Sequence, residues 1–162
     1  MPFTPFHFSV HACVAFPLLR KINFPVFILI NVILDIEPLL VILFNFDYPV
    51  HGYAHTFLGA TFLGFLWGLI GNSFDSLGKT IMKNLKLKHY SGLKSCLISG
   101  ITGGWLHVLF DAPLYTDIKP FFPALNNPLY GLIDIPVMYV LCTLLFVPAY
   151  ILYALKIRKS YY

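Results

Sequence analysis

Pro25-Val26-Phe27-Ile28-Leu29-Ile30-Asn31-Val32-Ile33-Leu34-Asp35-Ile36-Glu37-Pro38-Leu39-Leu40-Val41-Ile42-Leu43-Phe44 is a run of twenty residues, almost all apolar. As an α-helix its twenty residues span about 30 Å, the thickness of a bilayer's hydrocarbon core. Pro25 suits a helix N-terminus, where a missing N–H costs nothing. The anomaly is Asp35-Ile36-Glu37-Pro38 in the middle. Pro38 removes a backbone donor and pushes Glu37 away from helical geometry, which predicts a break or kink there. A break would let Asp35 and Glu37 turn toward one cavity. Ionisable groups at this depth are expensive and are functional by default.

Working outward, the composition places the whole chain in a membrane. Of 162 residues, 58% are hydrophobic and 11% charged, against roughly 25% charged in soluble domains. The pattern predicts an all-α integral membrane bundle. It has about four transmembrane helices plus a short N-terminal helix, in one domain covering residues 1–162. Residues 1–8, with Pro2 and Pro5, read as an extended lead-in. Phe8–Leu19 makes a helix of about 18 Å, too short to span. Beyond the Pro25 run, His55–Asn72, Leu93–Asp111 and Leu132–Leu155 are the further spans. Gly59, Gly64, Gly68, Gly100, Gly103 and Gly104 recur where two of these helices can approach closely. Thr80–Leu87 reads as an amphipathic surface helix. Cys13, Cys96 and Cys142 all fall in apolar segments and read as free buried thiols.

Lys and Arg alternate between loops. Residues 20–24 carry two, 45–54 none, 73–94 five, 112–131 one and 156–162 three. By the positive-inside rule the basic loops face the cytoplasm of a cell (plasma or inner) membrane. The same distribution, flanking apolar segments rather than forming a stripe, argues against a nucleic-acid partner; membrane lipids are the expected surroundings.

That count brings a set of metal-ligand residues to the extracytoplasmic side. His51 and His55 are four apart before one span; His107 and Asp111 are four apart at the end of the next. Each pair lies on one face if helical. With His7 and Asp35 they form a candidate metal set: His7, Asp35, His51, His55, His107 and Asp111. Imidazole with carboxylate suits zinc first, then manganese or iron, as one ion or two. Glu37 is the candidate catalytic base. Asp117 and Lys119, in the loop after Asp111, are candidates for holding an anionic substrate. His11 reads as a histidine bonding a neighbouring helix, His89 as a solvated loop residue, Asp47 and Asp75 as loop or cap residues, and Asp134 as the cap of the last span.

At these residues the chain resembles the membrane-bound metal-dependent hydrolase family. The features are the start Met1-Pro2-Phe3-Thr4-Pro5-Phe6-His7, Asp35-Ile36-Glu37 in an apolar run, His51 with His55, and His107 with Asp111. A small subgroup looks closer still, through Tyr48-Pro49-Val50-His51, His55-Thr56, Trp105-Leu106-His107 and Lys119-Pro120-Phe121. Better-known bacterial members carry Asp-x-Asp-His-Pro and His-Arg-Gly-x-x-His; here Pro38 follows Glu37 directly, and the His pair is four apart without the Arg. There is a looser similarity to helical zinc phospholipases and nucleases, which favours phosphoesters.

Two functions follow as expectations. The first is metal-dependent hydrolysis of a phosphoester, such as a lipid head group, by a metal-activated water. The second is a non-catalytic metal-binding membrane protein that transports or senses the ion. Ligands gathered toward one side of the membrane favour the first.

Overall fold

The computed structural model describes residues 4–158, and those residues are all-helical. The elements are α1 (Thr4–Ala15), α2 (Phe24–Phe44), a 3-10 turn (Tyr53–His55), α3 (Phe57–Ser73), α4 (Asp75–Asn84), α5 (Leu93–Asp111) and α6 (Ile135–Arg158). Helices α2, α5 and α6 are long and apolar enough to cross a membrane. A fourth crossing is made if α3 and α4, bent by 80° at their junction, count as one broken span. The bundle expected from the apolar runs is therefore present, and large apolar side chains such as Leu43, Leu144 and Tyr150 lie on its outside.

Three local expectations need correcting. The lead-in is not extended as far as residue 8: α1 begins at Thr4, with Pro5 inside its first turn. A proline there gives up an N–H that has no partner in any case. Residues Met1-Pro2-Phe3 and Lys159 lie outside the described residues. Second, α2 runs unbroken through Pro38, which is buried. The prolyl ring removes one rung of the ladder, and α2 continues to Asn45, whose left-handed backbone (φ 49°) ends it. Third, His89 is not solvated. Its Nε2 lies 2.8 Å from Asp75 Oδ1, and Ser91 Oγ donates to Asp75 Oδ2 at 2.8 Å. This clasp folds the segment after α4 back onto the α3–α4 corner.

Polar side chains set where helices begin. Asn23 Oδ1 accepts from Val26 N–H (3.2 Å) at the start of α2, and Thr56 Oγ1 accepts from Gly59 N–H (2.8 Å) at the start of α3. These are N-caps, each satisfying a donor that the helix leaves orphaned. The Thr56 cap matters for the site, because His55 immediately precedes it.

The tightest packing joins α3 to the antiparallel α5. A Cβ on Gly64 would stand 2.5 Å from the Gly100 carbonyl oxygen, and one on Gly68 2.8 Å from the Cys96 oxygen. No real side chain fits at those distances, so the two backbones touch along a seam of small residues. Helix α1, too short to span, tucks against α6. Ser9 Oγ donates to the Cys142 carbonyl (2.7 Å) and Cys13 Sγ to the Leu145 carbonyl (3.3 Å). The three cysteines are free, as expected.

Chain direction alternates through α1, α2, α3 and α5. As a result the start of α1, the second half of α2, the entry to α3 and the end of α5 all meet at one end of the bundle. His7, Asp35, His55, His107 and Asp111 occupy those positions.

Candidate metal centre

Four of the six expected ligands converge. One ligand atom each from Asp35, His55, His107 and Asp111 lies within 4.8 Å of all the others. His55 Nε2 and His107 Nε2 are 3.3 Å apart. Asp35 Oδ1 is 3.8 Å from His55 Nε2 and 3.4 Å from His107 Nε2. Asp111 Oδ2 is 3.7 Å and 3.3 Å from the same two nitrogens. A tetrahedral zinc ion with bonds of about 2.0–2.1 Å has ligand–ligand edges of about 3.3–3.4 Å. Three of the distances above, those from His107 Nε2, match such an edge, and the two from His55 Nε2 to the carboxylates exceed it by about 0.3–0.5 Å.

The outer partners fix what these atoms are. Asn31 Nδ2 donates to the Ile28 carbonyl (2.9 Å), which turns Asn31 Oδ1 toward His107. His107 Nδ1 lies 2.9 Å from that oxygen and donates its hydrogen to it. When the ring is neutral, Nε2 then carries a lone pair. Glu37 does the same for His55: its Oε2 lies 3.5 Å from His55 Nδ1, and it also accepts from Ala54 N–H at 3.1 Å. With both Nδ1 positions committed outward, two imidazole lone pairs and two carboxylate oxygens face one another. With both rings neutral these are four acceptors and no donor, an arrangement that a cation satisfies, and an outward N–H to carboxylate or amide is the usual support of a metal-binding histidine.

Local sequence explains how each ligand arrives. Asn31 and Asp35 are one helical turn apart on α2, so the ligand and the support of another ligand share a face. His107 and Asp111 are likewise one turn apart on α5. His55 sits in the 3-10 turn, held between the Glu37 contact to Ala54 and the Thr56 cap.

The other expected residues stand around this set. His7 is buried, with Nε2 3.2 Å from Asp111 Oδ1 and its ring stacked on His107 at 4.4 Å between centroids. His7 Nδ1 has no hydrogen-bond partner, and the Nε2–Oδ1 pair is an ion-pair contact without hydrogen-bond geometry. His7 thus faces the second oxygen of a ligand rather than the centre. His51 and His55 do not share an α-helical face, because a bend and a 3-10 turn replace the helix there. Asp117 takes His51 away: its Oδ2 accepts from His51 N–H (2.9 Å), and its Oδ1 lies 3.0 Å from His51 Nδ1. The His51 ring stacks on Tyr115 and meets His55 edge-on at 5.0 Å. Burial pushes the His51 imidazole below its ordinary pKa and nearby His55 adds to this, with Asp117 opposing. Among the described residues the metal-ligand side chains gather at one point, not two.

Glu37, expected near the reacting atoms, lies instead on the far edge of the His55 ring. Lys119 and Asp117 line a small pocket of about 170 Å³ with His51, Tyr48, Tyr53 and Phe122, and the His51 ring in its wall meets His55 edge-on. His11 bridges helices, with ring nitrogens 3.0 Å from the His7 and Gly103 carbonyls.

No family model, curated protein or solved structure matches the chain. Its function has to follow from the site alone.

Sequence reasoning missed Asn31. Its signal was present, an amide in an apolar run four residues before Asp35. Exchanging Asn31 for Leu, or Glu37 for Gln, is expected to weaken metal binding by about 10–100-fold without abolishing it, the usual cost of an outer-sphere change. Competition with a chromogenic chelator measures this.

Proposed function

We propose that the chain is a membrane-embedded hydrolase that uses one divalent ion, zinc by its donor set, to cleave a phosphoester. The observation that carries this reading is the convergence of Asp35, His55, His107 and Asp111 on one point, with both histidines held through Nδ1 from outside. Two imidazoles and two carboxylates suit zinc, with manganese and iron as the neighbouring choices. When bound, such an ion lowers the pKa of water and polarises a phosphoryl oxygen.

The residues divide the remaining work. His55, His107 and Asp111 are the fully buried holders, with Asp111 steadied by His7 on its other oxygen. The Asp35 side chain, 11% exposed, forms the accessible edge of the set; an oxygen of it left unbound by the ion would be the group placed to take a proton from water. Glu37 acts through His55 as a positioning residue rather than as the base. Lys119, beside the His51–Asp117 pair, offers the positive charge that an anionic phosphoester needs. The alternation of basic loops supports an extracytoplasmic location for this end of the bundle.

A specific observation favours a second reading. Four protein ligands at tetrahedral spacing close a zinc site, whereas catalytic zinc keeps a position open. A closed site would belong to a metal sensor or carrier. Asp35→Asn separates the two. In the hydrolase it leaves the ion within about tenfold of wild-type affinity, while turnover of 4-nitrophenyl phosphate or a short-chain phosphatidic acid falls about 100-fold or more. In the closed site the same change releases the ion, and the wild type turns over neither substrate.

A further inference from the structure

We infer that the ligand of this site is an amphiphile, with an anionic phosphoryl head in the pocket beside Lys119 and one hydrocarbon chain in a groove between α2 and α3. The inference rests on the phosphoester reading above and names the class of substrate.

The groove has a volume of about 670 Å³, within the range of small-molecule sites. Ile33, Ile36 and Leu40 line it from α2, and Phe62 and Leu63 from α3. The same two helices that clasp the metal centre thus stand apart on their other side, because α3 leans on α5 through its glycine seam. Ile33 to Leu40 runs for about 10 Å along α2, inside a segment long and apolar enough to cross a membrane. Water is no competitor at that depth.

What distinguishes this groove from an ordinary lipid-facing surface is its end. It closes at Glu37, Tyr48, Tyr53 and Ala54. Tyr48 and Tyr53 also line the pocket that holds His51, Asp117 and Lys119. The two spaces therefore share a wall made of two tyrosines. The Tyr48 hydroxyl at that wall donates to Glu37 Oε1 (3.4 Å) and accepts from Tyr53 N–H (3.1 Å). Glu37 in turn touches His55. An apolar trough and a pocket with a lysine thus meet at two tyrosines, beside the Glu37 that touches His55, so a chain in the one and a phosphoryl head in the other bring the ester linkage between them to this junction.

The test uses the zinc-loaded full chain in lipid nanodiscs and two non-hydrolysable probes, hexadecylphosphonate and methylphosphonate. Leu40→Trp and, as a second blocking variant, Ile36→Trp fill the groove; both positions face the outside, so folding is retained, and zinc content verifies it. Leu43→Trp places the same side chain elsewhere on α2. Partitioning of the long chain into the bilayer is common to all four proteins, so differences between them report the groove. The expected result is at least tenfold weaker hexadecylphosphonate binding in Leu40→Trp and Ile36→Trp than in wild type or Leu43→Trp, with methylphosphonate unchanged within twofold. Equal hexadecylphosphonate binding in all four proteins, with methylphosphonate still bound, overturns the groove assignment and leaves the phosphoester reading standing. Binding of neither probe to the zinc-loaded wild type overturns both.

Discussion

His107→Ala is expected to empty the metal centre. His107 supplies one of four inward atoms, and its Nε2 lies within 3.4 Å of the other three ligand atoms. A four-ligand zinc site contributes about 10–16 kcal/mol in small zinc domains, so one ligand's share is about 2.5–4 kcal/mol, or roughly 70–1,000-fold in affinity. Alanine also leaves Asn31 Oδ1 without its donor and brings two buried carboxylates together with less between them. Metal analysis of the purified variant should find less than a tenth of the wild-type content, and hydrolysis should fall to background. His89→Ala is the matched control, since that histidine serves the Asp75 clasp in a different part of the fold. It should retain the ion.

The second large effect is expected from Gly100→Val. A Cβ on Gly100 runs into the carbonyl of Gly64, and that contact is backbone against backbone. A side chain in the way can rotate; a carbonyl of a packed helix cannot, so α3 and α5 must separate. Overpacking costs about 1–3 kcal/mol where side chains can adjust, and this substitution should reach the top of that range or exceed it. The damage extends to the site, because His107 stands two turns farther along α5 and must stay opposite His55 at the entry to α3. A lowered unfolding temperature in detergent, accompanied by weaker metal binding, is the expected pair of results. Ile98→Val, on the exposed face of the same helix, should change neither.

Much of this arrangement is legible in the order of residues along the chain. Span α5 is bounded by Gly92 and by Ala112-Pro113, and it runs from Leu93 to Asp111 as its punctuation requires. The glycines spaced along α3 and α5 announce their seam. His107-x-x-x-Asp111 is a true helical pair. The failures share a cause, which is that spacing does not carry the backbone that realises it. His51-x-x-x-His55 has helical spacing, but Gly52 and the Thr56 cap place a bend and a 3-10 turn between the two, and Asp117 from a distant loop captures His51. Pro38 lacks a donor, yet one missing rung does not break a helix packed on α1, α3 and α5. Pro5 reads as a helix breaker until the helix is seen to start one residue before it. Asn31 shows the converse: an uncharged amide has no metal chemistry of its own, and its role is visible only once His107 is placed opposite it.

On the proposed reading one divalent ion sits where Asp35, His55, His107 and Asp111 converge, with Asp35 at its accessible edge. X-ray absorption at the zinc edge, on wild-type protein in nanodiscs after zinc loading and removal of excess metal, tests it most directly. The expected result is one zinc per chain in an all-nitrogen/oxygen shell at about 2.0–2.1 Å, with outer scattering from two imidazoles. Folded protein that keeps no zinc, or a shell containing sulfur or a single imidazole, would contradict it and leave the four residues a polar network that joins α2, α3 and α5.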